Sequence, residues 1–309
     1  MGGDYAPEQI ILGAIEAAEK IDIEVLLVGS VDLIEKSLSE IGTTLPENIK
    51  LVPASSFVDM GEPAAKSTRQ KNDSSIAVCA KLVKDNVADI MISAGNTGAV
   101  MSAATLIIGR ATGIPRPAIG ILLPTRKPVF LLDIGANATC RPQLLVYFAI
   151  IGSAYQKCML GNENPTVGLL NIGEEEGKGN SLAKETYELL KDAPVNFIGN
   201  VEGHGIPDGK CDVVVCDGFT GNIVLKVLEA TGKLFGDMLM EEINRTTRNK
   251  IGGLILKPGL KSLAHRVNPG RFGGAQLLGL KGMCMIAHGH SNQYAIFNAI
   301  RVAAKESNS

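Results

Sequence analysis

The sequence has no tryptophan, and its aromatic side chains are five Tyr and eight Phe in 309 residues. A protein that stacks unpaired bases on rings needs more than that. Positive charge is not in excess either: 30 Lys and Arg against 32 Asp and Glu give a net charge of -2. Coating nucleic acid depends on neutralising phosphates, so no nucleic-acid partner is expected. Histidines number four, and the six cysteines at 79, 140, 158, 211, 216 and 284 contain no Cys-x-x-Cys pair. No metal site is therefore expected, and no cofactor is implied. Thiols so scattered read as buried, reduced cysteines of a cytoplasmic protein. The opening Met1-Gly-Gly-Asp-Tyr-Ala-Pro7 has no basic stretch followed by an apolar one, which speaks against a secretory signal. The longest nearly apolar run, Leu144 to Tyr155, is about twelve residues and too short to span a bilayer.

Hydrophobic residues make up 45% of the chain, enough for a packed core. Nine short apolar runs read as strands: Glu24–Val28, Ile49–Val52, Asp89–Ser93, Ile119–Leu123, Val129–Asp133, Val167–Asn171, Asn196–Gly199, Asp212–Cys216 and Met283–Ala287. Most are continuous rather than alternating, as in strands buried on both faces of a parallel sheet. Between them lie helical patterns such as Pro7–Lys20, Val31–Glu40, Asn96–Gly109, Pro142–Met159, Ser181–Lys191 and Ser291–Lys305. The alternation predicts a doubly wound α/β fold with a mostly parallel sheet in three αβα layers. With no linker or repeat, residues 1–309 read as one catalytic domain, and residues 223–272 as a helical arm within it.

Glycine is abundant, 35 residues, and it falls where strands hand over to helices. The turns include Ser93-Ala-Gly-Asn-Thr-Gly98, Asp133-Ile-Gly-Ala-Asn137, Gly177-Lys-Gly-Asn180, Asp217-Gly-Phe-Thr-Gly-Asn222 and Ala287-His-Gly-His-Ser-Asn292. In an open parallel sheet such turns share the carboxyl edge, where ligands bind. Small residues let backbone approach a ligand, and helix N-termini aim N–H groups at anions. The pattern predicts a phosphate-like substrate. No G-x-G-x-x-G follows the first strand, and no phosphate-binding G-x-x-x-x-G-K-[ST] or nucleophile elbow G-x-S-x-G occurs. The phosphate is then a free or transferred group.

Met1-Gly-Gly-Asp-Tyr-Ala-Pro7, Ile92-Ser-Ala-Gly-Asn-Thr-Gly-Ala99, Asp133-Ile-Gly-Ala-Asn137 and Asp212-Val-Val-Val-Cys-Asp-Gly-Phe-Thr-Gly-Asn222 resemble the bacterial phosphate acyltransferase (PlsX) family. The resemblance continues through Phe272-Gly-Gly-Ala275, Leu278-Gly-Leu-Lys-Gly282 and Ala287-His-Gly289, and it spans essentially the whole chain. It implies a fold similar to the isocitrate and isopropylmalate dehydrogenases, a homodimer, and transfer of a fatty acyl group from acyl carrier protein to inorganic phosphate for phospholipid synthesis. The sequence departs from the family in three places. Family members carry a short strand ahead of the Met-Gly-Gly-Asp motif, which implies a misplaced start or an absent first strand here. His204-Gly205 stands for a usual Arg-Asp, and His290 for a usual Ser.

Direct attack of phosphate on a thioester needs an anion cradle, an oxyanion stabiliser and no enzyme nucleophile. Lys178, between two glycines and after three acids, supplies a mobile charge, unless it simply pairs with Glu174–Glu176. Asn222, read as ending its turn and beginning a helix, offers an amide donor to the oxyanion, or else an N-cap. Ser93, Gly95, Asn96, Thr97, Gly98, Asp133, Asn137, Asn180, Asp217, Thr220, Gly221 and His288 are expected to bind phosphate or substrate. Cys140 and Cys216 read as structural. The closer rival is a short-chain phosphate acyltransferase using acetyl- or butyryl-CoA; a non-catalytic phosphate- or lipid-sensing scaffold is the other.

Charge is also segregated along the chain. Residues 243–305 hold ten Lys and Arg and no Asp or Glu, leaving 20 basic against 32 acidic residues elsewhere. Within them, Ile251, Leu254, Ile255, Leu260 and Leu263 are interleaved with Lys250, Lys257, Lys261 and Arg266. Pro258 and neighbouring glycines are expected to break this stretch into two short amphipathic pieces. Such pieces suit peripheral contact with an anionic membrane or an acidic carrier protein, placing the enzyme near membrane-bound glycerol-3-phosphate acyltransferase.

Overall fold

The apolar runs become strands whose ends differ from the sequence reading by at most two residues. In the computed structural model, which describes residues 1–267 and 273–307, the strands are β1 Val25–Gly29, β2 Ile49–Pro53, β3 Ile90–Ser93, β4 Ala118–Leu123, β5 Val129–Leu132, β6 Thr166–Leu170, β7 Asn196–Val201, β8 Val213–Val215, β9 Ala275–Leu278 and β10 Met283–Ile286. The helices are α1 Glu8–Lys20, α2 Val31–Ile41, α3 Ala64–Gln70, α4 Ser75–Lys84, α5 Thr97–Ala103, α6 Pro142–Leu160, α7 Ser181–Lys191, α8 Gly205–Asp208, α9 Gly218–Arg245, α10 Thr247–Val267 and α11 Gln293–Ser307. A π-helical turn, Ala104–Ile108, follows α5 directly.

Two compact units divide the chain. One comprises Met1–Ile121, Ala154–Glu163 and Phe272–Ser309; the other comprises Leu122–Ser153 and Asn164–Arg271. In the first unit β3, β10, β9 and β4 are neighbours in that order. Met283 to Ile286 of β10 pair in parallel with Ile90 to Ser93 of β3. β9, which the sequence reading lacked, runs antiparallel to both β10 and β4. β1 and β2 form a separate parallel pair, with Val25 opposite Ile49. Between β1 and β3 lies a cavity of 430 Å³, lined by both strands and by side chains of α1, α4 and α11. Ile11, Ala14, Ile15, Leu27, Ile34 and Ile49 pack β1 and β2 onto α1 and α2.

The second unit has the order β5, β8, β6, β7, parallel throughout. Phe130, Leu131, Leu132, Val213, Val214 and Val215 are wholly buried, so β5 and β8 are apolar on both faces as the continuous runs require. Each such side chain contributes about 1.5–3 kcal/mol when taken out of water. α6 packs so closely that a Cβ at Gly152 would lie 2.6 Å from Val213 Cγ1.

The arm corrects the sequence reading. α10 is one continuous helix with Pro258 inside it, not two broken pieces. Proline removes a single helical donor, toward the Leu254 carbonyl, and exposure of this stretch lets water take that acceptor. Strong helix formers on both sides, Leu254 to Lys257 and Leu260 to Ala264, carry the helix through. Asn249 Nδ2 donates to the Glu242 carbonyl at 2.9 Å, and the Gly253 backbone lies against Ile243, tying α10 to α9. Residues 268–272, the end of the expected arm and including Phe272, lie outside the described residues.

Candidate active site

In the second unit, the turn after β5 is built around Asp133. Its side chain is fully buried. Oδ1 accepts from the N–H groups of Gly135 at 3.1 Å and Ala136 at 3.0 Å, and Oδ2 from the Asn137 N–H at 2.7 Å and Asn137 Nδ2 at 3.0 Å. A carboxylate saturated in this way shapes a loop; its lone pairs are not offered to a substrate. Asn137 is likewise buried and committed to Asp133.

The turn after β8 is shorter than its sequence suggests. Helix α9 begins at Gly218, so Asn222 is its fifth residue and not a cap. The cap is Asp217, whose Oδ1 accepts the Thr220 N–H at 2.9 Å while Oδ2 accepts the Thr220 hydroxyl at 2.8 Å. Gly221 has a spatial role: a Cβ there would lie 1.9 Å from the Asp133 carbonyl oxygen. That close approach brings Asn222 beside the Asp133 turn, where Nδ2 donates to the Ile134 carbonyl at 2.9 Å. One amide hydrogen is thereby used. The other has no protein partner among the described residues.

Lys178 stands on the loop after β6, exposed. Its ammonium makes no ion pair among the described residues, and two of the three preceding acids are taken from a distance. Glu174 pairs with Lys210, and Glu176 with Lys191 at 2.5 Å. Both carboxyls are held below their usual range, first by those hydrogen bonds. Asn171 Nδ2 donates to the Lys178 carbonyl at 3.1 Å, and Gly179 (φ +94°) leaves no room for a side chain beside Asn171. Asn180 caps α7, accepting from the Ala183 N–H at 2.9 Å. No hydrogen bond joins Lys178 to Asn222; their loops follow the parallel strands β6 and β8 and so emerge at one edge.

The remaining predicted residues belong to the first unit. Ser93 Oγ accepts the Gly95 N–H at 3.2 Å. Asn96 is buried and caps α5 through the Ala99 N–H at 3.0 Å, while Nδ2 donates to the carbonyls of Met60 at 2.9 Å and Glu62 at 3.1 Å. It braces the loop. Gly98 packs against α3, 2.8 Å from Ala64 Cβ for a hypothetical side chain, whereas Thr97 is exposed. His288 is exposed on the turn after β10. Two residues the sequence reading left without a role lie beside it: His290 pairs with Asp4 from 286 positions away, a contact that no local pattern signals.

Two cysteines brace the Asp133 turn, Cys216 Sγ donating to the Asp133 carbonyl at 3.6 Å and Cys140 Sγ to the Asn137 carbonyl at 3.4 Å. Cys216 is buried, and desolvation raises its thiol well above the ordinary range, with Asp217 and Asp133 adding to the effect. Cys211 and Cys284 are buried too, but Cys158 is exposed and Cys79 and Cys140 half-buried, so the expectation of six buried thiols fails. Cys158 lies near the end of α6, on its outer face.

The family model described as fatty acid synthesis protein matches residues 1–309. A phosphate acyltransferase of Desulfitobacterium hafniense (strain Y51) is 49% identical over 305 residues, covering 98% of this chain and 90% of that relative. One from Synechocystis sp. is 48% identical over 307 residues, covering 98% and 88%. Among solved structures, a phosphotransacetylase from Streptococcus pyogenes superposes with a TM-score of 0.66 at 18% identity, covering 98% of this chain and 92% of that one. A 4-hydroxythreonine-4-phosphate dehydrogenase from Klebsiella pneumoniae gives 0.59 at 12% identity, covering 97% and 95%. These two likenesses speak to the fold alone, a mostly parallel α/β sheet layered with helices. Matched along its whole length, and nearly half identical to relatives of similar size, the chain belongs to the fatty acid synthesis protein family, and its class is that of an acyltransferase.

Proposed function

We propose that this protein transfers a fatty acyl group from acyl carrier protein to inorganic phosphate, releasing an acyl phosphate for phosphatidic acid synthesis. A phosphate oxygen attacks the thioester carbonyl, the new C–O bond forms, and the C–S bond breaks to release the carrier's thiol. The observation that carries this reading is that an unengaged ammonium on Lys178, on the braced loop after β6, and an unengaged amide hydrogen on Asn222, in the first turns of α9 after β8, both follow the carboxyl ends of neighbouring parallel strands. Lys178 neutralises charge on phosphate or the developing oxyanion, and Asn222 donates to that oxyanion. Asp133, Asn137, Asp217, Thr220 and Gly221 hold Asn222 in place; Asn180 and Gly179 hold Lys178. Ser93, Gly95, Asn96, Thr97, Gly98 and His288, on turns of the first unit, are assigned to phosphate or substrate binding in this proposal. The protonated, desolvated thiol of Cys216 fits a reaction without an acyl-enzyme.

The test is release of free thiol and acyl phosphate from acyl carrier protein thioesters and from acyl-CoA, with and without phosphate, across chain lengths. Phosphate-dependent release from long-chain carrier thioesters is expected. Preference for acetyl- or butyryl-CoA would identify a short-chain phosphate acyltransferase, and no release from any thioester would leave a binding scaffold.

The arm supplies the remaining contacts in this proposal. Among the described residues no helix is long and apolar enough to cross a membrane. α10 nevertheless exposes Ile251, Leu254, Ile255 and Leu263, with Leu260 half-buried, among exposed Lys250, Lys257, Lys261 and Arg266. α9 exposes Leu234, Phe235, Met238, Leu239 and Met240. The α9 face suits a homodimer, and the basic α10 face suits anionic lipid or the acidic carrier protein. Anionic liposomes should sediment the wild type, in a salt-sensitive way, but not Leu254→Glu or Leu260→Glu. Equal sedimentation of active variants would remove the segment as anchor.

A further inference from the structure

Helix α9 starts at the candidate site, and its first three turns lie half-sunk in the second unit. Gly218 and Gly221 are buried there, and Val224, Leu225 and Leu228 half-buried. The outer face of a helix so placed ordinarily carries charged and polar side chains. Here it carries Phe219, Ile223 and Val227, which are 63%, 48% and 57% exposed. Their spacing of four residues sets them in one row along the helix. Lys226 and Ala230 are the other exposed residues between positions 219 and 230, and Ala230 continues the row. From 231 to 242 every residue is exposed, and the helix has left its unit for the arm.

The row begins where the reacting carbonyl is placed. Phe219 stands three residues before Asn222 and Ile223 one after it, and Asn222 has one amide hydrogen left after its bond to the Ile134 carbonyl. An acyl chain is bonded to the same carbon as the oxygen that this hydrogen meets, so it leaves the site within about one helical turn of Asn222. Water is a poor solvent for that chain, and the apolar row gives it cover from its first carbons. From Asn222 to Ala230 the helix rises about 12 Å. An extended alkyl chain crosses that distance in about ten carbon–carbon bonds.

We infer that the outer row of α9 is the acyl-chain track of this protein: Phe219 covers the first carbons, and Ile223, Val227 and Ala230 carry the chain outward from the carbonyl. The inference rests on the phosphate acyltransfer reading, and it deepens that reading by naming the surface that senses chain length. A chain laid on an open face buries about half its surface, so each methylene along the row contributes about twofold to kcat/KM. The gain ends where the row ends, near Ala230.

The experiment measures thiol release at saturating phosphate from acyl carrier protein loaded with butyryl, octanoyl, decanoyl and palmitoyl chains. It compares the full-length wild type with Ile223→Asn, Val227→Asn and Val227→Leu. The replaced side chains are exposed, so thermal melts should match the wild type. In the wild type kcat/KM should climb about twofold per methylene from butyryl to decanoyl and level off beyond. Val227→Asn should lower the decanoyl-to-butyryl ratio roughly tenfold, the loss of three or four methylene contacts. Ile223→Asn should flatten the climb from octanoyl onward, and Val227→Leu, apolar again, should restore it. A wild-type ratio in both Asn variants overturns the inference and leaves the functional reading standing. Equal losses at every chain length, or a changed subunit count on sizing, make the row a subunit contact and overturn it as well. If the wild type releases no thiol from any of these thioesters, both readings fail.

Discussion

Replacing Asn222 with Ala separates the two uses of one side chain. Its Nδ2 donates to the Ile134 carbonyl at 2.9 Å, a half-buried bond whose loss costs about 1 kcal/mol. In a body of this size that lowers Tm by about 2–4 °C. The second amide hydrogen has no protein partner among the described residues, and as an oxyanion donor it is worth about 10²–10³ in rate, or 2.7–4 kcal/mol of barrier. Catalysis should therefore collapse while folding barely changes. Gly135→Ala makes a finer probe. A Cβ there would lie 3.2 Å from Asn222 Nδ2, on a backbone at φ +149°, so it displaces the amide without deleting it. An intermediate loss of kcat is expected. The assay is phosphate-dependent thiol release under single-turnover conditions, run beside a thermal melt. Wild-type turnover in Asn222→Ala would remove this residue from the transition state. A fall in kcat that merely tracks lost folding would reduce it to a structural brace.

Lys178→Ala should lower kcat by about 10²–10³ with an unchanged melt, and Lys178→Arg should recover part, since charge is retained but not the point geometry. Gly221→Ala should destabilise the second unit by at least 1–3 kcal/mol, because its Cβ would sit 1.9 Å from the Asp133 carbonyl; an unshifted denaturant midpoint would refute the contact. Glu62 is lowered from 4.5 to about 2, chiefly by the Asp59 N–H, then by Lys71 and Ser67. Its stabilisation is therefore complete above the ordinary carboxylate range and lost as pH falls toward about 2. Glu62→Gln should be less stable than wild type at neutral pH, with the difference closing through that window in pH-resolved denaturation. Pro258→Ala should stabilise α10 by up to about 3 kcal/mol and leave transfer from soluble thioesters intact, as circular dichroism and turnover would report.

The parallel framework was legible because its strands are buried on both faces and so spell unbroken apolar runs, as Val129–Leu132 and Val213–Val215 do. β9 was not legible: Ala275-Gln-Leu-Leu278 is four residues long, follows a glycine pair, and runs antiparallel where the alternation implied parallel. The start of α9 was misplaced for a related reason. Gly218 and Gly221 read as turn residues, yet they are small because the helix presses on the Asp133 loop. The spacing of Asp217 and Thr220, a cap and its partner three residues on, was the signal that marked the true start. The site residues were recoverable as types on turns, but their engagement was not. Whether Lys178 is free depends on Lys191 and Lys210, which reach Glu176 and Glu174 from other elements.

The cavity between β1 and β3 has a mechanical consequence. No strand pairing joins the β1–β2 pair to the other strands of the first unit among the described residues; helices α1 and α4 make the connection. The cooperative ladder of hydrogen bonds stops at that gap. β1, β2 and α2 are then able to open as a lobe while β3 and β10 stay paired, so the unit has two thresholds of opening rather than one. In native-state hydrogen exchange, the paired amides of Val25 and Leu27 should open at lower free energy than those of Met285 and Ile286. Limited proteolysis should cut first in residues 42–48, the connection between α2 and β2, and the fragment that remains should keep the β3–β10 pairing.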